Sequence, residues 1–235
     1  MSNSNLAILY FSRNVRVEGE HKRWFGRSGG SRNRQVATAL IAHSCKTLQG
    51  ARLPVYRYHE GNQRGSTFGE RLANAYDELF GLGYTGVIAV GNDTPELAAV
   101  NWDDVTAPLN EGRCVLGASL RGGAYLIGLT AAAFDKDSFQ HLPWQTSQLF
   151  LALENFCARQ DFPSHLLPAL RDVNTFQDLL ALVRVKGFDH SLHRFIARVL
   201  WQGKCVYTYL CSPIRPAFTS LSCLRGPPAP ARLIS

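Results

Sequence analysis

The sequence predicts an α/β fold, a mostly parallel central sheet with helices on both faces. Three observations carry that expectation. Short apolar runs alternate with amphipathic stretches from residue 6 to residue 183. The runs are continuous rather than alternating, as in parallel strands buried on both faces. Hydrophobic residues make up 46% and charged residues 18% of 235, which excludes whole-chain disorder and provides for a sizeable core. No apolar run reaches the roughly 18 residues of a membrane helix, and no signal-peptide layout opens the chain. The expectation is a cytoplasmic protein without a membrane span.

Leu6–Ser12 is a buried strand ended by polar residues. Residues 13–34 are basic, polar and glycine-bearing and predict a long loop. From Ser31 a helix follows, with Val36, Leu40, Ile41, Cys45 and Leu48 on one face and Gly50 as its stop. Leu53–Tyr58 is a second strand and Gly61–Ser66 a loop. Thr67 and Glu70 have capping-box spacing before a helix bearing Phe68, Leu72, Tyr76 and Leu79, ended by Gly81 and Gly83. Val87–Val90 is the third strand and runs into Gly91-Asn92-Asp93-Thr94-Pro95, where Pro95 suits the first turn of a short helix. Cys114–Gly117 and Tyr125–Leu129 are strands flanking Arg121-Gly122-Gly123. Gln145–Cys157 predicts a helix, His165–Leu170 a strand and Thr175–Val183 a helix. Phe188, Leu192, Phe195, Ile196, Val199 and Leu200 predict one more amphipathic helix, which either packs on the domain or forms a homodimer contact. From Ser212 the prolines exclude a regular element. The expected organisation is one domain over 1–185 with residues 186–235 as its extension.

Lysine and arginine number 25 against 18 acidic residues, a net charge of +7. Residues 1–50 hold eight of the basic residues and only Glu18 and Glu20 against them. Such a segment is either a solvated basic loop or a partner for a polyanion, and a diphosphate satisfies the second as well as nucleic acid does. Nucleic acid ranks low, because only Trp24 and Phe25 are interleaved for stacking. Six cysteines lie far apart without a C-x-x-C pair and read as buried or incidental thiols. His190 and His193 stand three apart without a clustered cysteine or acid, so zinc is not expected there.

Ligands of open α/β sheets bind beyond the carboxyl ends of the strands. Three polar clusters fall there: the basic segment after Ser12, Gly91–Pro95, and the region of Arg171-Asp172. A carboxylate such as Asp93 at the end of a buried strand needs hydrogen bonds or a cation. It either meets Mg²⁺ or Mn²⁺ shared with a diphosphate, or caps the helix at Pro95. Arg121-Gly122-Gly123 either admits a ligand close to the backbone or is a two-glycine turn. Neither Gly-x-Gly-x-x-Gly nor a Walker lysine loop is present, which weakens dinucleotide and ATPase readings.

A resemblance rests on eight stretches in order. The first four are Phe11-Ser12-Arg13 ending the opening strand, Gly19-Glu20-His21-Lys22, Gly69-Glu70-Arg71-Leu72, and Gly91-Asn92-Asp93-Thr94-Pro95-Glu96-Leu97. The others are Val115-Leu116-Gly117, Gly122-Gly123-Ala124-Tyr125-Leu126-Ile127-Gly128, Leu142-Pro143-Trp144-Gln145-Thr146, and Leu170-Arg171-Asp172-Val173-Asn174-Thr175. In these the chain resembles the nucleotide-diphospho-sugar transferases of GT-A type, a family also labelled uncharacterised or arsenosugar-biosynthesis-type glycosyltransferases. The resemblance implies a GT-A-like fold, a nucleotide-diphospho-sugar donor, an unknown acceptor and a divalent cation, Mg²⁺ or Mn²⁺. It assigns Ser12, Arg13, Lys22, Arg23, Arg71, Asn92, Arg121, Gly122 and Gly123 to the nucleotide and its phosphates. Asp93 and Asp172 become metal ligands, and Asp172 the candidate catalytic carboxylate. Trp144 and Thr146 fall on the acceptor side, with a core role the alternative for Trp144.

Two departures from the family pattern stand out. Many relatives carry an acid where this chain has Arg121, and relatives read Lys-Thr-Arg where it has Lys22-Arg23-Trp24. An arginine at 121 could meet phosphate bidentately in place of the lost acid. The implied activity is glycosyl transfer. The alternatives are a nucleotidyltransferase of related fold, which would want a tighter glycine loop after the first strand, and a non-catalytic nucleotide-sugar binder.

Overall fold

A computed structural model describes residues 5–159, 161–184 and 190–201 of the chain. Among these, six strands form one sheet: β1 (Leu6–Phe11), β2 (Val55–Tyr58), β3 (Gly86–Val90), β4 (Cys114–Ser119), β5 (Ala124–Thr130) and β6 (Ser164–Leu170), in the order β2-β1-β3-β5-β4-β6. β1 pairs in parallel with β2 and β3, and β4 with β6. β5 runs antiparallel to both β3 and β4. The sheet is therefore mostly parallel, as predicted, with one reversed strand. That reversal follows from the short connection after β4, since a tight turn can join only antiparallel neighbours.

Helices cover both faces. They are α1 (Val15–Lys22), α2 (Gly30–Gln49), α3 (Phe68–Gly81), α4 (Asp103–Asn110), α5 (Lys136–Gln140), α6 (Leu149–Arg159), α7 (Phe176–Arg184) and α8 (His190–Trp201). Alternate residues of the strands supply the two cores, because side chains of a strand point to opposite faces. Leu9, Val87, Ala89, Leu116 and Ile127 pack with Tyr76 and Leu79 of α3, Phe139 of α5 and Leu153 and Phe156 of α6. Leu6, Ile8, Tyr10, Ile88 and Val90 face Leu48 of α2 and Val105 and Leu109 of α4. A third cluster joins Val36, Ala37 and Leu40 of α2 to Leu179 and Leu180 of α7 and Leu192, Ile196 and Val199 of α8. The amphipathic helix expected near the end of the sequence thus packs on the domain.

The structure corrects the sequence reading at four places. Residues 13–34 are not a long loop: α1, a 3-10 turn at Arg27–Gly29 and the start of α2 occupy them. α1 escapes hydrophobic periodicity because its only large apolar residues are Val15 and Val17. It is held by polar terms instead, with the Asn14 side chain capping it by accepting from the Val17 amide. α6 begins at Leu149, four residues later than expected, since Gln145 takes a left-handed conformation with φ 63°. α4 and α5 are additions, each too short for a clear periodic signal. No helix among the described residues is long and apolar enough to cross a membrane. The proline-bearing tail from Ser212 lies outside the described residues.

Candidate functional site

The carboxyl edge of the sheet gathers four chain segments. β1 delivers Ser12 and Arg13, β3 delivers Asn92 and Asp93, and the chain after β6 delivers Asp172 and Asn174. β5 runs the opposite way, so its beginning, at Gly123 and Ala124, lies on this same edge. Together with α1 and the start of α3 they enclose a cleft of about 650 Å³. Its apolar lining comes from Phe11, Phe68, Leu72, Ile127 and Trp144, among others. Cations and carboxylates share the rest: Arg13, Lys22 and Arg71 with Glu18, Glu60, Asp93 and Asp172, and His21 beside them.

Asp93 does not cap the turn at Pro95, whose N-terminus has no side-chain cap. Its Oδ2 instead accepts from the Lys22 ammonium at 3.0 Å. Burial alone would push the Asp93 carboxyl up; Lys22 outweighs it and holds the group below the ordinary carboxylate range. Asp172 goes the other way. Burial, and then the charge of Asp93, push it up, although the Thr94 hydroxyl donates to its Oδ1 at 2.7 Å. The two carboxylates are thus electrostatic neighbours. Backbone ties join their loops, since the Val173 amide donates to the Asp93 carbonyl at 2.7 Å.

Lys22 also donates to the Asn174 side-chain carbonyl, and Glu18 lies 4.0 Å away. Glu18 is 2% exposed and stands between Lys22 and Arg13, whose Nη1 is 3.5 Å from it. His21, beside them, is pushed below its ordinary pKa by burial and then by Arg13, which favours its neutral form. The Asn92 side-chain amide is 94% buried by residue and its Nδ2 has no hydrogen-bond partner. An unpaired buried donor on a cleft wall is costly until an acceptor arrives.

Of the residues singled out from the sequence, Ser12, Arg13, Lys22, Arg71, Asn92, Asp93, Gly123, Trp144 and Asp172 line this cleft. Arg23, Arg121, Gly122 and Thr146 are not among its lining residues. Arg23 turns its guanidinium to the Glu20 carbonyl. Thr146 donates to the Pro143 carbonyl. Arg121 forms a bidentate pair with Asp178, at 2.6 and 3.0 Å, instead of facing phosphate. Gly122 serves a turn: its φ is 80°, and a Cβ there would fall 2.1 Å from the Ser147 carbonyl oxygen. Trp144 both lines the cleft and packs in the core, with its indole N–H spent on the Phe139 carbonyl. Sequence reasoning missed Glu18, His21 and Asn174 as members of the site. The i, i+4 spacing of Glu18 and Lys22 was the available signal.

Could this edge hold a divalent cation? Among the described residues no group of three or more His, Cys, Asp or Glu side chains is gathered as a ligand set. Asp93 and Asp172 are the neighbouring carboxylates that could hold a cation, with the rest of its shell left to water and phosphate oxygens.

Residues 32–146 match the model of a family described as "Uncharacterized protein conserved in bacteria (DUF2064)". Among solved structures the chain is similar to a protein of Desulfovibrio desulfuricans G20 provisionally assigned as a nucleotide-diphospho-sugar transferase. The TM-score is 0.72 and the identity 21%, covering 85% of this chain and 98% of the other. This is the nucleotide-diphospho-sugar transferase fold. The resemblance carried by the sequence stretches therefore holds at the level of the fold. No curated protein matches the chain. In a nucleotide-diphospho-sugar transferase fold the cleft described above occupies the edge at which open α/β sheets bind ligands.

Proposed function

We propose that the cleft binds a nucleotide-diphospho-sugar together with a divalent cation and transfers the sugar to an acceptor, acting in the cytoplasm. The observation that carries this reading is the charge arrangement at the carboxyl edge: the Asp93–Asp172 pair, with Lys22 and Arg13 beside it and the unpartnered Asn92 amide lining the same cleft. A diphosphate would satisfy the cations and the amide at once. Asp93 and Asp172 would hold the cation, which supplies charge neutralisation of the nucleoside-diphosphate leaving group. Arg13 and Lys22 would orient the phosphates, and Asn92 would donate to a phosphate oxygen. The apolar lining of Phe11, Phe68 and Trp144 would exclude water from one side of the sugar. Asp172, pushed up by burial and by Asp93, is the carboxyl group proposed to take a proton from the acceptor hydroxyl.

Thermal melting with millimolar nucleoside diphosphates, triphosphates and sugar nucleotides, with Mn²⁺, Mg²⁺ or chelator, tests the reading. A ligand at about 100 times its Kd stabilises by about 2.7 kcal/mol. For a chain of this size that raises Tm by roughly 5–10 °C. The expected result is a cation-dependent shift with sugar nucleotides that is absent in Asp93→Ala. A shift with triphosphates alone would favour nucleotidyl transfer, and no shift with any diphosphate would overturn the proposal.

A further inference from the structure

Lys22 ends α1, and its side chain keeps only 11% of its surface exposed. Its ammonium touches oxygens from two distant parts of the chain: Asp93 Oδ2 at the end of β3 and the Asn174 side-chain carbonyl after β6. Glu18 of its own helix adds a third carboxyl oxygen at 4.0 Å. This ammonium thus occupies the space in front of one of the two carboxylates to which a cation has been assigned above. The helix that carries it has little freedom to withdraw. Gly19 sets α1 so closely on α2 that a Cβ there would come within 3.1 Å of the Arg34 backbone. Any release of Asp93 must come from the four-carbon lysine stem, which is flexible.

An ammonium bonded to Asp93 Oδ2 and a divalent cation on the same carboxylate repel each other at close range, in a cleft only partly open to water. We propose that Lys22 is the built-in counter-ion of Asp93 and makes cation binding conditional on a diphosphate, whose oxygens give the ammonium another partner. The inference rests on the proposed donor site and adds a coupling to it: the cation and the diphosphate bind as a unit. Coupling of this kind is reciprocal, so each ligand tightens the other by the same factor.

The test is a titration of the full chain with Mn²⁺, followed by the electron paramagnetic resonance of free Mn²⁺, alone and with ADP, GDP, UDP or dTDP. Wild type should bind Mn²⁺ weakly alone and more tightly with the nucleotide that fits. Lys22→Met should bind Mn²⁺ alone about 10-fold more tightly, within the usual range of coupling between sites. The added effect of the nucleotide should shrink by the same factor. Lys22→Arg keeps the charge and should behave as wild type. Should Lys22→Met fail to fold, Lys22→Gln removes the charge while keeping a hydrogen-bonding side chain. A folded neutral variant with unchanged or weaker Mn²⁺ affinity overturns the inference, as does the absence of Mn²⁺ binding in every form. Tightening in the neutral variant without binding of any nucleotide would leave the counter-ion role standing and remove the donor reading instead.

Discussion

At the scale of single residues, Asp178 carries more hydrogen bonds than any carboxylate lining the cleft. Its side chain is 3% exposed and accepts from both ends of the Arg121 guanidinium, from the Asn174 and Thr175 amides and from the Thr175 hydroxyl. It thereby fixes the segment on which Asp172 and Asn174 sit, which gives Arg121 a structural role. Burial alone would raise the Asp178 pKa, but Arg121 and the Thr175 donors outweigh it and hold it low. A depressed folded-state pKa contributes stability that is present above the unfolded value of about 3.9 and lost as pH falls through the lower folded value. Asp178→Asn is therefore expected to lose about 1.5–3 kcal/mol at neutral pH, the range for hydrogen bonds to a charged group. Urea denaturation at a series of pH values should show that difference shrinking below about pH 3.9. A pH-independent difference would assign the loss to packing.

At the scale of elements, α3 was legible because three independent signals agreed. Thr67 and Glu70 form the reciprocal capping box, the apolar residues recur at helical spacing, and Gly81 and Gly83 close it. Thr67→Ala should cost about 1 kcal/mol in chemical denaturation. Gly69, the second residue of the helix, has a different meaning. A Cβ there would fall 2.1 Å from the Gln140 carbonyl and 2.5 Å from the Trp144 ring, so the helix approaches the cleft wall only because this side chain is absent. Gly69→Ala should destabilise by about 1–3 kcal/mol despite the better helix propensity of alanine. Near-ultraviolet dichroism of the displaced Trp144 should change with it. α1 was not legible for the opposite reason. Its buried residues are Glu18 and Gly19, so it is held by local ion pairs of Glu18 with Arg13 and Lys22, by the Lys22–Asp93 pair across the fold and by close backbone packing.

At the scale of the whole molecule, α8 is part of the core and not an appendage, and α2 links it to the sheet. Ile196 is fully buried in the cluster shared by α2, α7 and α8. Truncating it to alanine should cost about 2–5 kcal/mol, the range for a buried large-to-small change. A loss below roughly 1 kcal/mol would indicate that the C-terminal helix is not integral to the cooperative unit. The basic excess of the first 50 residues is also resolved at this scale. Arg13, Arg16 and Lys22 are paired with Glu18, Glu20 and Asp93, and Arg32 lies over the Phe25 ring, so much of the charge is internally answered.

The sequence by itself determined the strands, the long helices and the carboxyl edge on which Ser12, Asp93 and Asp172 would meet. Buried strands and amphipathic helices write their burial into composition and period, and the edge follows from alternation along the chain. Only the tertiary structure decided which polar residues answer one another. Lys22 finds Asp93 and Asn174, and Arg121 finds Asp178, across separations of 71, 152 and 57 residues. An ion pair between distant residues leaves no periodic trace, because its energy depends on distance and burial in space and not on spacing along the chain.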